Sequence, residues 1–311
     1  MYPTKVEVTE VGTRDGFQNE KIFIPTEKKI DLINKIVASG VRRIEATAFV
    51  SPRAVPQLVD ASEVIAGINR VPSLRIACLV PNHQGLARAI AAEVDEVVAF
   101  CSVTESHNQT NLNRSIEESI EGFESIMKSA EKTHIAVHGA LAVAFGCPFE
   151  GDVDPSHVAS LVNQLYAIGI RNITLGDTTG MATPPLVDRV VKTIQDKMPD
   201  VKISLHFHNT RGIGLVNVLA GLSAGISRYE SSIGGIGGCP FAPGASGNIC
   251  SEDLVYMLGE YGIDTGVDLL SLMHCAHQLQ GILGRALPGQ VMKAGLRTRT
   301  FPLSAVKRAT R

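Results

Sequence analysis

Several features that would narrow the field at once are missing from this 311-residue chain. No apolar run reaches the ~18 residues a membrane-spanning helix needs, which excludes a helical membrane protein. No charge of one sign dominates either. The chain has 29 Lys and Arg against 31 Asp and Glu, a formal net charge of −2, with the basic residues scattered. Without a basic face there is no footprint for nucleic acid or for an anionic membrane surface. Neither a G-x-G-x-x-G turn nor a phosphate loop follows any strand-like run, which argues against a dinucleotide-binding open sheet. The cysteines, at 78, 101, 147, 239, 250 and 275, form no C-x-x-C pair and no compact framework. They read as reduced thiols. Met1-Tyr2-Pro3-Thr4-Lys5 runs straight into the first strand pattern with no leader-like segment, so the expectation is a cytoplasmic chain.

What is present is alternation. Short β-rich apolar runs occur at Val6–Val11, Arg43–Ala48, Leu74–Val80, Glu96–Ser102, Ile135–Ala144, Asn172–Leu175, Lys202–Phe207 and Tyr229–Ile233. Between them lie amphipathic helical stretches: Pro25–Ser39, Val55–Ile68, Ser115–Lys132, Pro155–Ile168, Pro184–Lys197 and Gly214–Ala224. Asp154-Pro155 places a capping carboxylate before a proline at the first helical position. Gly40, Gly169 and Gly225 stand just past helix ends, where a left-handed residue is wanted. Eight strand–helix units in roughly 260 residues predict an α/β fold, a (β/α)8 TIM barrel, whose usual length is ~250. Beyond residue 250 the pattern is helical only, with Glu252–Tyr261 closing the barrel and Val267–Leu283 packed outside it. No linker divides the chain. We therefore expect one domain over 1–311, with the barrel at about 5–262 and a C-terminal helical extension at about 263–311.

In such barrels the working residues sit at the C-terminal ends of the strands. Here those ends carry Arg14 and Asp15 after the first strand, Glu45 in the second, Asp177 after the sixth, and His206 and His208 in the seventh. Two residues apart on a strand, the histidines face one way while Phe207 faces the other. Asp15, His206 and His208 make a two-histidine, one-carboxylate set, with Asn248 as a neutral oxygen ligand. Mixed N/O ligation with open positions suits Mg²⁺ or Mn²⁺; a structural zinc would want thiolates and a closed shell. The competing roles are a turn-capping Asp15 before Gly16 and an Asn248 that caps the helix starting at Ser251. Glu45 faces the barrel interior. Arg14, pointing the same way, is either its ion-pair partner or the group that meets a developing oxyanion. For Asp177 two roles stay open: an acceptor orienting a histidine N–H, or a catalytic group. Cys239 follows four glycines in five residues and precedes Pro240. A thiol on such a loop, near a cation and an arginine, is a candidate proton donor or acceptor.

These stretches together resemble the 3-hydroxy-3-methylglutaryl-CoA (HMG-CoA) lyase family. The likeness rests on Thr13-Arg14-Asp15-Gly16-Phe17-Gln18-Asn19-Glu20, Ile44-Glu45-Ala46-Thr47-Ala48-Phe49-Val50-Ser51-Pro52, Leu175-Gly176-Asp177-Thr178 and the His-x-His strand. Most specific is the loop Gly238-Cys239-Pro240-Phe241-Ala242-Pro243-Gly244-Ala245-Ser246-Gly247-Asn248. Isopropylmalate and homocitrate synthases share the Arg-Asp-Gly and His-x-His signatures and lack that loop. The resemblance implies cleavage of HMG-CoA to acetyl-CoA and acetoacetate, dependent on Mg²⁺ or Mn²⁺, by a homodimer acting on a small acyl-CoA. It implies metal ligation by Asp15, His206, His208 and Asn248, enolate stabilisation by Arg14, and proton transfer by Cys239 on a mobile loop. Glu45 and Asp177 match acidic residues important for activity.

The chain departs from the family after the histidines, where His-Asp-Thr-Tyr-Gly-Gln is replaced by His208-Asn209-Thr210-Arg211-Gly212-Ile213. Asn209 and Arg211 are either helix-start residues or signs of a changed acyl pocket. The second reading keeps citramalyl-CoA and longer branched 3-hydroxyglutaryl-CoA in play as substrates. Arg114 adds a cation that could meet a substrate carboxylate or a CoA phosphate. A Claisen-condensing synthase and a non-catalytic barrel are the remaining alternatives; the first is disfavoured by the lack of a long C-terminal regulatory extension, the second by an intact ligand set. Replacing Cys239 by Ala is expected to cut turnover by about 10²–10⁴-fold, the usual cost of a lost acid–base group, with metal content unchanged. Steady-state assay beside metal analysis checks this, and undiminished turnover removes the thiol from the reaction.

Overall fold

A computed structural model describes residues 1–238, 247–300 and 302. Eight parallel strands close into a barrel in sequence order: β1 (Glu7–Glu10), β2 (Arg43–Ala48), β3 (Arg75–Leu79), β4 (Glu96–Ser102), β5 (Ala136–Ala142), β6 (Asn172–Asp177), β7 (Lys202–Phe207) and β8 (Arg228–Ser231). Closure is made by β1 against β8, with Thr9 opposite Glu230. All eight strand expectations fall on these elements.

The register decides which residues enter the interior. Ile44, Ile76, Val97, Ile173, Leu175, Leu205 and Tyr229 alternate with the inward positions, and each is fully buried under the helices. That apolar outer row is what the helical ring covers. The inward row is followed through its register partners: Thr9 with Arg43, Val98 with His138, Ala140 with Thr174, and Gly176 with His206. Its lower and middle layers are unusually polar. Between Glu45 and Thr47 the β2–β3 pairing slips, a bulge that re-aims the strand beside Glu45.

The ring contains α1 (Thr26–Ala38), α2 (Ala61–Ala66), α3 (His83–Ala91), α4 (Glu105–Leu112), α5 (Ile116–Ala130), α6 (Pro155–Ala167), α7 (Pro184–Gln195), α8 (Gly214–Ser223) and α9 (Ser251–Glu260). Two more, α10 (Leu269–Leu283) and α11 (Val291–Ala294), follow the barrel, and α10 packs against α1. The stretch expected to be helical over 55–68 is shorter: a single 3-10 turn at Pro56–Leu58 precedes α2. Asp60 separates them, its carboxylate taken by Thr26 at 2.7 Å and Lys29 at 2.6 Å. Gly40, Gly169 and Gly225 have φ of +107°, +98° and +83°, as their places after helices require. Among the described residues no helix is long and apolar enough to cross a membrane.

Two buried carboxylates fasten the chain where it leaves β8. Glu10 Oε1 accepts from the amides of Gly12 (2.7 Å) and Ile233 (2.8 Å), and its Oε2 from the Ser251 hydroxyl (2.6 Å). Glu252 Oε2 accepts from the Gly234 amide at 2.8 Å. Burial outweighs these bonds and pushes the Glu252 carboxyl up to about 7. Folding therefore favours its protonated form, and the stability this gives is present at acid pH and lost as pH rises toward 7. The fall in unfolding free energy between about pH 4.5 and 7 should be shallower in Glu252→Gln, by of order 2 kcal/mol. Denaturant titrations across that window measure the slope.

Candidate metal centre at the barrel mouth

The turn after β1, Gly12–Gly16, is one wide helical turn, buried throughout, that delivers Arg14 and Asp15 to the C-terminal mouth. Arg14 Nε donates to Glu45 Oε1 at 2.5 Å and its Nη1 to Asp15 Oδ1 at 2.8 Å. Of the two roles open for Arg14, the ion pair with Glu45 is present; being a five-donor group, Arg14 retains Nη2 for another partner. Asp15 Oδ2 accepts from Asn248 Nδ2 at 2.7 Å, which joins β1 to the segment following β8. Asn248 does not cap α9, whose preceding residue is Cys250.

His206 and His208 project to the same side, with their Nε2 atoms 3.2 Å apart. Ligand atoms of Asp15, His206 and His208 all lie within 4.8 Å of one another. Cis ligands on an octahedral ion with bonds of ~2.1 Å are separated by ~3 Å, so the imidazole pair has the spacing one cation needs. The Oδ1 of Asn248 is buried with no hydrogen-bond partner among the described residues. A neutral oxygen in that state beside a carboxylate and two imidazoles is suited to a cation. Electrostatics agree. Four buried carboxylates, Asp15, Glu45, Glu96 and Glu230, face two buried guanidiniums, Arg14 and Arg43, and the partly exposed Arg75 that reaches Glu96, leaving the carboxylates in excess when the histidines are neutral. The donor set fits a divalent ion.

Sequence reasoning missed Glu230. From β8 its Oε2 pairs with His206 Nδ1 at 2.9 Å. A carboxylate behind a ligating histidine fixes the ring and leaves the other nitrogen's lone pair for the metal. Although burial disfavours charge on His206, the Glu230 bond and the nearby Asp15 raise its pKa above the ordinary value. Burial acts against the Asp15 carboxylate too, but Arg14, His206, His208 and the Asn248 bond hold its pKa below the usual range. The orienting role considered for Asp177 thus belongs to Glu230. Asp177 Oδ1 instead accepts from the amides of Met181 (2.7 Å) and Ala182 (2.9 Å), organising the β6–α7 loop. Burial pushes its carboxyl up to about 7, and its Oδ2 is unpartnered among the described residues.

The departures after β7 resolve simply. Asn209 Oδ1 accepts from the Gly214 amide at 3.1 Å, at the start of α8, and Arg211 Nη1 donates to the carbonyls of Thr179 and Gly180. Both are loop-fastening residues. Arg114 does line the mouth, where Nη1 donates to Pro81 O at 3.3 Å. Cys239 lies outside the described residues; Gly238 and Gly247 flank the stretch that carries it. The mouth opens into a cavity of about 590 Å³ lined by Arg14, Asp15, Glu45, His206 and His208 on one side. Leu79, Val98, Phe100 and Ala140 line the other.

Comparison with known proteins agrees. Residues 5–279 match the HMGL-like family. The chain belongs to it. Among HMGL-like relatives, the rat cytoplasmic 3-hydroxy-3-methylglutaryl-CoA lyase is 41% identical over 297 residues, 96% of this chain and 87% of the relative. The hydroxymethylglutaryl-CoA lyase YngG of Bacillus subtilis is 42% identical over 289 residues, 93% of this chain and 97% of the relative. An HMG-CoA lyase from Acinetobacter baumannii, solved with coenzyme A and 3-methylmalate, superposes with a TM-score of 0.92 at 45% identity, covering 96% of this chain and 98% of that one.

Asp15→Ala and His206→Ala should each lose stoichiometric Mn²⁺ binding, measured as metal retained after gel filtration. Full retention by either variant would reassign the ligands.

Proposed function

We propose that this chain is a divalent-metal-dependent HMG-CoA lyase, cleaving 3-hydroxy-3-methylglutaryl-CoA to acetyl-CoA and acetoacetate. One observation carries the reading: Asp15, His206 and His208 converge beside a buried Arg14 at the mouth of a cavity of about 590 Å³, in a chain about 40% identical to named HMG-CoA lyases. Asp15, His206, His208 and Asn248 Oδ1 would hold Mg²⁺ or Mn²⁺, which when bound polarises the oxygens of the substrate.

The reaction is a retro-Claisen cleavage. The C3 hydroxyl loses its proton and becomes a ketone, while the C2–C3 electron pair moves into the thioester as an enolate. Negative charge thus passes from one oxygen to another, and each needs a fixed positive group. Arg14 answers the second. Its Nε and Nη1 are tied to Glu45 and Asp15, and Nη2 is directed to the thioester oxygen in the proposed complex. Because those carboxylates hold the guanidinium before substrate arrives, little reorganisation accompanies charge development. Protonation of C2 to give acetyl-CoA is assigned to Cys239.

A specific observation favours a second substrate by the same mechanism. Leu79, Val98 and Phe100 give the cavity an apolar patch away from the candidate ligands, and the inward positions Ala140, Ala142 and Gly176 are small. Room of this kind admits an alkyl branch longer than methyl at C3. Incubation with Mg²⁺ and a panel of HMG-CoA, citramalyl-CoA and 3-hydroxy-3-alkylglutaryl-CoAs decides. Equimolar acetyl-CoA and acetoacetate from HMG-CoA is the expected outcome. Exclusive release of pyruvate, or of a longer 3-oxo acid, moves the substrate; no acetyl-CoA from any member overturns the lyase.

A further inference from the structure

Beneath the metal centre a chain of buried polar groups crosses the barrel, and every link has a defined direction. Arg43 on β2 donates Nε to Glu96 Oε2 at 2.7 Å and Nη1 to Thr9 Oγ1 at 3.0 Å. Its Nη2 lies 3.0 Å from Nδ1 of His138 on β5. His138 Nε2 is 2.9 Å from the hydroxyl of Thr174 on β6. That hydroxyl donates to Glu230 Oε1 at 2.7 Å, and Glu230 Oε2 is 2.9 Å from His206 Nδ1. All these side chains are buried.

A guanidinium has only donors, so His138 Nδ1 accepts. The neutral ring then carries its proton on Nε2 and donates to Thr174 Oγ1. Burial and the adjacent Arg43 keep His138 neutral, pushing its pKa down to about 3. A hydroxyl has a single proton, and with Oγ1 already accepting from His138 that proton goes to Glu230. Glu230 is left ionised, accepting at both oxygens. Its second oxygen takes the Nδ1 proton of His206, and the lone pair of His206 Nε2 faces His208 and Asp15. Reversing any hop would bring two donors or two acceptors together among buried side chains, at the cost of an unsatisfied buried group.

We infer that His138 and Thr174 are positioning residues that act through Glu230 to set the tautomer of His206, and so its capacity to bind the metal. The inference rests on the metal-centre reading and reaches further: it extends the site through Thr174, in the cavity lining, to His138, which lies outside that lining. Register explains the placement, because Thr174 lies beside Ala140 and Glu230 beside His206 in the inward row.

Two measurements test it. Nitrogen NMR of histidine-labelled, metal-free protein reads tautomers directly and needs neither metal nor turnover. Read at a pH alkaline enough for His206 to be neutral, His138 protonated at Nε2 and His206 at Nδ1 is the expected result; a proton on His138 Nδ1, or a neutral His206 protonated at Nε2, overturns the inference, whatever the enzyme does. The second is titration with Mn²⁺ alone. Loss of a carboxylate–histidine support typically weakens metal binding about 10- to 100-fold, and that loss is expected for Thr174→Val and His138→Leu. Thr174→Ser keeps the hydroxyl. In His138→Gln the amide oxygen can accept from Arg43 while its nitrogen donates to Thr174, so both conservative variants should bind within about threefold of the parent. Equal loss in Gln and Leu variants assigns His138 to packing and overturns the proposal, as does parental affinity in Thr174→Val. If Val or Leu variants fail to fold, the tautomer measurement on the parent decides alone. Should the parent show the expected tautomers yet bind no Mn²⁺, the metal-centre reading fails separately.

Discussion

The hydrogen bond between His206 and Glu230 is the contact on which the mouth of this barrel depends. Two imidazole nitrogens held 3.2 Å apart cannot both carry protons. Something must decide which nitrogen is bare, and on His206 the carboxylate behind the ring does so. With Nδ1 committed, the neutral ring presents the lone pair of Nε2 toward His208 and Asp15. Asp15 is fixed by an equivalent logic. Its two oxygens are divided between Arg14 and Asn248, so the carboxylate arrives oriented and ionised. The candidate ligand set is held in place by its neighbours, and those neighbours come from β1, β2, β8 and the segment after β8.

Much of this could be read from the amino acids in order. The eight strands are short β-rich runs with apolar outward positions, and all eight were placed. Less visible were α3 and α4. The first is short with a glycine inside it, and the second, Glu105–Leu112, has no apolar stripe. It folds for a tertiary reason: Asn108 is a buried polar plug that accepts from the Ser102 amide and donates to the carbonyls of Arg114 and Ser115. No local periodicity announces such a helix.

At the site, the candidate ligands were legible because they lie where a barrel's working residues must lie, at the strand ends, and two of them share a strand face. Glu230, Thr174 and His138 were not. They occupy the layer below, inside runs that read as ordinary strand, and a lone polar residue on an inward position carries no sign of its partner. Only the closed register brings β5, β6, β7 and β8 into one hydrogen-bonded sequence. The exchange of roles between Asp177 and Glu230 has the same origin. Both are acids near the His-x-His strand, but Asp177 sits where β6 turns into its loop and meets two backbone amides before it can reach an imidazole.

The mouth is divided between two tasks. Strands β1, β2, β7 and β8 supply charge; β3, β4 and β5 contribute Leu79, Val98, Phe100 and Ala140, a surface with nothing to donate or accept. The division follows from the cost of charge in a low-dielectric interior. Arg14 and Asp15 are tolerated because each faces an opposite partner already in place, whereas Arg114, the cation on the other side, is half-buried and rests on the Pro81 carbonyl. An apolar wall also excludes water from the side where an enolate would form, so the field of Arg14 is less screened there than at the surface. Charge and shape at the mouth are consequently supplied by different strands, the first by β1, β2, β7 and β8 and the second by β3–β5.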